Sequence, residues 1–423
     1  MFIKNIILGA GLTGLSASVS LKKDYLLVEK NKHVGGLTST EKIKDYLFDH
    51  TGHWLHLKNL ITKKFIEKIM FKKMLKINRQ SKVLFDGRLG DFPFQYNLSA
   101  YKKDFIIKCL VSLMRRNEYV SPKNFEEFCT VNFGHEIANS FLLPYNLKLW
   151  GADAKNISHK WCERFFPKPN TENIIAGALG GSNFQGYNHE FYYPKKGGIG
   201  TLSNTIYNSL DKKNTLLNAK VSSINFVKKK ITINNCQFTY KNLISTIPLP
   251  NLLSLLENLP ANIKNQKNKL KCTKLRYINY GIKDKILKNI HWLYIPDKNI
   301  PFYRIGCSSN AVPSLAPKGC SSVYLEVSNN NNHSDKEILR LARKFLLNNN
   351  IIKTEKDIEV EALRKLDFGY VIFDKNYDNS RKVIHNFLNK NNIFSLGRYG
   401  SWIYSSMEDS MLEGFAIKKN INA

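Results

Sequence analysis

The chain has 423 residues, 64 basic against 34 acidic side chains for a net charge of +30, and seven cysteines. That length exceeds what one simple core organises and predicts two or three lobes, while no apolar run reaches the roughly 18 residues of a membrane span. Cys109, Cys129, Cys162, Cys236, Cys272, Cys307 and Cys320 are odd in number, widely spaced and free of any Cys-x-x-Cys or Cys/His cluster, which excludes a disulfide framework and a structural zinc and predicts reduced thiols in a cytoplasmic protein.

The first element is a βαβ unit. Ile3 to Leu8 is an apolar strand, Gly9-Ala10-Gly11-Leu12-Thr13-Gly14 a glycine turn, Leu12 to Lys22 a helix, and Tyr25 to Val28 a second strand ending in the acid Glu29. Gly9 allows the turn, Gly11 admits a pyrophosphate against the backbone, Gly14 lets helix meet strand, and Glu29 accepts a ribose hydroxyl. The apolar stretch after Lys4 is thus a cofactor strand and helix rather than a signal peptide.

Leu57 to Leu75 and Ala100 to Arg116 have helical spacing. Between them Val83 to Leu89 reads as a hairpin with an Asp86-Gly87 turn. Pro122 opens a helix near Asn124 that puts Phe125 and Phe128 on one face and runs to Trp150 with an interruption at Pro144. Short strands return over Leu216 to Ile233 and Phe238 to Thr246. Leu275 to Ile282, Trp292 to Ile295 and Val323 to Val327 suit a second sheet, and Ile393 to Leu396 precedes a helix from about Glu408. The expected fold is α/β: a Rossmann-like cofactor domain over 1–90, 191–265 and 376–423, a helical insert over 91–190, and a sheet-based substrate domain over 266–375.

Only 12 of the 64 basic residues are Arg, and Lys, Asn and Ile are abundant throughout, so most of the charge reads as solvated lysine. No nucleic-acid motif accompanies it, and no nucleic-acid partner is expected. Steering of an anionic substrate, or contact with a membrane surface, is the remaining use of the charge.

Glu29 followed by the paired glycines Gly35-Gly36 and Leu37 resembles FAD enzymes of the amine oxidase and glutathione reductase lineage, which implies FAD. Further patches, in order over nearly the whole chain, resemble the UDP-galactopyranose mutase family. They are Phe48-Asp49-His50-Thr51-Gly52-His53, Phe92-Pro93-Phe94-Gln95, Pro144-Tyr145-Asn146-Leu147-Lys148-Leu149-Trp150, Trp161-Cys162-Glu163-Arg164, Tyr193 to Gly200, Trp292-Leu293-Tyr294 through Arg304, and Gly397-Arg398-Tyr399 through Tyr404.

The resemblance implies an isomerase that interconverts pyranose and furanose forms of a nucleotide-linked hexose, reduced flavin attacking the anomeric carbon, in the synthesis of surface polysaccharide. It implies Arg164 and Arg304 as guanidinium forks for the diphosphate, His53 beside the flavin, Tyr294, Tyr370 and Tyr404 around the diphosphate, and Phe94, Gln95, Asn146 and Trp150 as the uridine pocket. It also implies Gly52, Val221, Gly397, Arg398 and Met407 as cofactor contacts, backbone approach of Gly197 to Gly200 to the flavin ring, a separate reductant, and a fold compatible with a homo-oligomer. Two features depart from the mutase pattern: Thr51 stands where the mutases carry a glycine, and Ser405-Ser406-Met407-Glu408-Asp409 after Tyr404 resembles instead an FAD oxidoreductase of the amine oxidase or protoporphyrinogen oxidase type.

Overall fold

The structure is a computed structural model and describes residues 1–162, 170–181, 189–329 and 331–421. Its organising element is the strand Phe2–Leu8, whose Ile6, Ile7 and Leu8 are buried on both faces and therefore pair in parallel on both edges. Tyr25–Val28 lies on one side and Cys236–Ser245 on the other. The full seven-stranded sheet runs Val221–Asn225, Lys230–Ile233, Cys236–Ser245, Phe2–Leu8, Tyr25–Val28, Thr215–Leu216, with Ile393–Ser395 parallel to the end of Cys236–Ser245. Segments from the beginning, middle and end of the chain thus build one sheet.

A second seven-stranded sheet has the order Ile358–Leu366, Leu275–Ile282, Ser321–Val327, Phe302–Cys307, Trp292–Tyr294, Ser81–Phe85, Arg88–Asp91. Its pairs are antiparallel except that Trp292–Tyr294 runs parallel to Ser81–Phe85. The hairpin around Asp86-Gly87, assigned from sequence to the first stretch of the cofactor domain, therefore belongs to this sheet.

The helical lobe comprises Lys103–Met114, Phe125–Ile137, Leu143–Trp150 and Thr171–Ala178. Pro144 does not interrupt it: the chain passes through a π turn at Ala138–Leu142, and the proline falls in the first turn of the next helix, where its missing N–H costs nothing. The expected helix to Leu75 stops at Ile69, and Met74–Asn78 pairs antiparallel with Glu190–Pro194. Pairing with a strand more than a hundred residues away outweighs local periodicity there.

The closing helix Met407–Asn420 packs on Leu12–Leu21. Its N-terminus is a capping box in which Ser406 and Asp409 satisfy each other's backbone donors, and buried Glu408 accepts from Lys58 N (2.9 Å), Asn59 N (2.9 Å) and Thr62 Oγ1 (2.5 Å), which ties it to the start of the helix Leu60–Ile69, itself capped by Asn59. Hydrogen bonding at the helix ends thus accounts for Ser406, Glu408 and Asp409, whereas Ser405 Oγ is buried without a hydrogen-bond partner. All seven cysteines are free. Among the described residues no metal-holding cluster occurs and no helix is long and apolar enough to cross a membrane.

Candidate active site

The glycine turn sits where Phe2–Leu8 ends. Gly9 adopts φ 95°, and a Cβ on Gly14 would lie 1.9 Å from the Gly9 carbonyl oxygen, so the helix Leu12–Leu21 rests directly on the turn. A Cβ on Gly11 would fit without a clash, its nearest neighbour being Gly35 O at 3.9 Å. Gly35 N donates to Ala10 O (2.8 Å), which brings Gly35, Gly36 and Leu37 against the turn. Glu29 is buried and accepts from Ala10 N (2.8 Å) and Asn31 N (2.9 Å), while Ala219 N donates to Glu29 O (2.9 Å), two residues before Val221. Open backbone at a helix N-terminus beside a buried acid fits a dinucleotide. Gly397 (φ 81°) packs on Thr13 of the same helix, and Met407 is buried nearby on the helix that covers it.

Thr51 holds φ 64°, a left-handed conformation that is strained for a β-branched residue, and this sets the course of the loop to His53. Gly52 makes room for other side chains: a Cβ there would lie 2.5 Å from both the Trp292 ring and the Tyr324 hydroxyl.

The second group of residues is built on the second sheet. Antiparallel pairing sets Tyr294 opposite Arg304, and Arg304 opposite Glu326. Arg304 donates to the fully buried Glu326 through Nε (2.8 Å) and Nη2 (2.5 Å), approaches the Tyr370 hydroxyl (3.4 Å), and lies 4.8 Å from the Trp292 ring centroid. The other Glu326 oxygen accepts from Tyr303. Arg398 sits over Tyr404 (4.7 Å) and Tyr370 (5.6 Å) and donates to Ser405 O (2.8 Å). Arg79, unmarked by the sequence reading, lies against Phe92 (5.5 Å) and Trp292 (5.6 Å). Burial works against the charge of Arg304, yet Glu326 and the surrounding phenols hold its pKa well above the usual value; burial dominates the rise at Tyr294 and Tyr370. The predicted Arg304, Tyr294, Tyr370, Tyr404 and Arg398 thus form one contiguous group, and Arg164 lies outside the described residues.

On the helical side, Trp150 meets Tyr370 edge to face (5.7 Å) and donates Nε1 to Asn146 Oδ1 (3.3 Å), whose Nδ2 donates to Leu142 O (2.7 Å). Gln95 is buried. Phe94 corrects the expectation of a base-stacking ring: it is enclosed by Phe141, Tyr101, Phe85 and Phe105 and belongs to the core of the lobe. Phe92, two residues earlier, stacks on Tyr294 at 4.6 Å. The signals that could have found the missed residues are the scarcity of arginine, which marks Arg79 as it marks Arg304, and the single acid in the apolar run Val323 to Val327.

His53 Nδ1 has no hydrogen-bond partner, and burial, reinforced by His50, Arg398 and Arg304, pushes its pKa down to about 3, so the imidazole is neutral at physiological pH. Burial likewise lowers His56, His291 and His385 to about 4. Depressed imidazoles stabilise the fold fully above about 6.5 and lose that contribution as pH falls toward 4, each by about 1.4 kcal/mol per pH unit. Asp49, raised by burial to about 6, has the opposite sign: its contribution is present below its unfolded pKa and is lost as pH rises through 6. Four groups outweigh one, so the thermal midpoint falls from pH 6.5 to 4.5 and falls more steeply in Asp49→Asn. A midpoint flat across that range in scanning fluorimetry contradicts this.

A family model for flavin containing amine oxidoreductases matches residues 12–347. A crystal structure of reduced UDP-galactopyranose mutase superposes with a TM-score of 0.92 at 27% identity, covering 99% of this chain and 94% of that one. A protein of Exiguobacterium sp. 255-15 described as a protoporphyrinogen oxidase gives 0.77 at 13% identity over 99% of both chains, a likeness of fold alone. A Dictyostelium discoideum protein described as flavin-containing monoamine oxidase A is 33% identical over 105 residues, 22% of this chain and 23% of that relative, so the match spans less than a quarter of its length. With the model matching most of its length, the chain belongs to the flavin containing amine oxidoreductase family.

Proposed function

We propose that this protein is an FAD-dependent nucleotide-sugar mutase that interconverts the pyranose and furanose forms of a UDP-linked hexose, galactose being the first candidate. The likeness that carries the reading is the one to reduced UDP-galactopyranose mutase, which extends over 99% of the chain. FAD, held by the Gly9 to Gly14 turn, Glu29 and Gly35-Gly36, supplies in its reduced form a nucleophile for the anomeric carbon. The chain's own residues meet the other demand of the reaction, a departing diphosphate that gains charge. Arg304, Arg79 and Arg398 present cationic groups to it, with Arg164 as the further proposed fork. Tyr294, Tyr370 and Tyr404 exclude water and offer phenolic donors. Neutral His53 offers its unpartnered Nδ1 without adding charge.

A separate reductant, a cytoplasmic location and a role in surface polysaccharide follow from this reading. The family match favours a second reading, oxidation of an amine. With Arg79 and Arg398 beside the Arg304–Glu326 pair, the site disfavours an ammonium substrate, and this argues for the mutase. The deciding experiment incubates the flavin-loaded protein, with and without dithionite, with UDP-galactopyranose and UDP-galactofuranose and separates the sugars by chromatography. Interconversion under reducing conditions alone is expected. No interconversion, with no response of the flavin spectrum to UDP, removes the proposal in favour of the oxidase.

A further inference from the structure

We propose that Lys148 is a positioning residue whose ammonium staples the helix carrying Asn146 and Trp150 to the segment that joins Tyr294 to Arg304. Its place in the binding site rests on the nucleotide reading above; the staple itself rests on geometry alone. The Lys148 side chain is almost completely buried, and Nζ donates to three backbone carbonyls, Ile295 O (2.8 Å), Asp297 O (2.8 Å) and Phe302 O (2.7 Å). Three donors meeting three acceptors exhaust what an ammonium can donate. Two of the acceptors lie in the connection between the strands Trp292–Tyr294 and Phe302–Cys307, and the third is the first residue of the latter strand, two residues before Arg304.

The same lysine is fixed from behind. Its carbonyl accepts from Asn329 N (2.9 Å), and Leu149 O accepts from Asn329 Nδ2 (2.9 Å), two residues beyond the strand that carries Glu326. One turn of helix therefore sets the distance between Trp150 and both members of the Arg304–Glu326 pair. A buried cation is a costly way to fill space that a methionine of similar shape would fill, so the arrangement calls for the three directional bonds. Asp297 is the one ionisable side chain found to act on Lys148 among the described residues; burial dominates over it and lowers the lysine to about 7. Deprotonation removes one donor and leaves a lone pair facing a carbonyl.

The test uses the full-length, flavin-loaded protein and the variants Lys148→Met and Lys148→Gln. In Lys148→Met, amide hydrogen exchange is expected to rise about tenfold or more in 143–150 and 295–302 while Phe2–Leu8 keeps its wild-type rate. UDP binding, followed by tryptophan fluorescence, weakens about tenfold, with Lys148→Gln between the two. Raising the pH from 6 to 9 weakens wild-type UDP binding more than that of Lys148→Met, which follows the titration of UDP itself; a packing role alone gives the two proteins parallel profiles and overturns the proposal. Unchanged exchange in both segments, or a rise in exchange spread equally over Phe2–Leu8 in both variants, also overturns it. A local rise in exchange in a protein whose wild type does not bind UDP keeps the staple and removes the nucleotide reading.

Discussion

Arg304→Met is expected to lower the thermal midpoint and abolish turnover, and adding Glu326→Gln is expected to restore the midpoint but not the activity. Glu326 is completely enclosed, and its charge is balanced through Nε and Nη2 of Arg304. Removing the arginine alone strands a buried carboxylate, at a cost of about 3–5 kcal/mol. Neutralising the carboxylate removes that cost, and Tyr303 keeps a partner in the glutamine. Activity follows a different rule, because a guanidinium aimed at developing negative charge acts in the transition state and its loss costs on the order of 10²–10³ in rate. The stability arm requires only the ion pair, and the activity arm requires the diphosphate. A double variant that regains turnover rules out Arg304 as a diphosphate ligand, and a single variant as stable as wild type rules out the strain assigned to the lone carboxylate.

That pair also marks where sequence stops being informative. The dinucleotide turn is legible because Gly9 to Glu29 is one local unit, and each residue type in it answers a constraint set by its neighbours. Arg304 is legible by resemblance and by the rarity of arginine, whereas Glu326 is not, because its role depends on the pairing of two antiparallel strands. Met74 and Leu75 extend an apolar periodicity and are read as helix until Glu190–Pro194 supplies a strand partner. Phe94 and Phe92 have the same side chain two positions apart, and the enclosure of one by the lobe decides which reaches Tyr294. Lys148 looks like one more solvated lysine in a lysine-rich chain until three carbonyls are seen converging on it. Ser406 and Asp409 follow a local rule, the capping box, that is legible from the sequence alone.

The two neighbouring glycines of the turn separate fold from cofactor in the same way. Gly14→Ala puts a methyl carbon 1.9 Å from the Gly9 carbonyl oxygen, a backbone atom that cannot rotate away, so the helix Leu12–Leu21 must lift from the turn. Overpacking of this kind costs typically about 1–3 kcal/mol and here exceeds that range, because both partners are backbone. Its expected product is a destabilised, colourless protein. Gly11→Ala meets nothing closer than 3.9 Å, and its backbone, at φ −72° and ψ 179°, is ordinary for any residue. Without flavin this variant is expected to unfold within about 0.5 kcal/mol of flavin-free wild type. On the proposed reading the FAD pyrophosphate would come closest to the backbone beside Gly11, and a methyl group there would displace it from the N–H donors of the helix end. Losing one or two such charge-assisted bonds, at about 1.5–3 kcal/mol, weakens flavin retention roughly 10- to 100-fold. Comparing flavin content with the midpoint of the stripped proteins therefore tests the assignment: full flavin in Gly11→Ala moves the pyrophosphate away from this turn, whereas a stable, colourless variant ties the cofactor to a position where the fold itself tolerates a side chain.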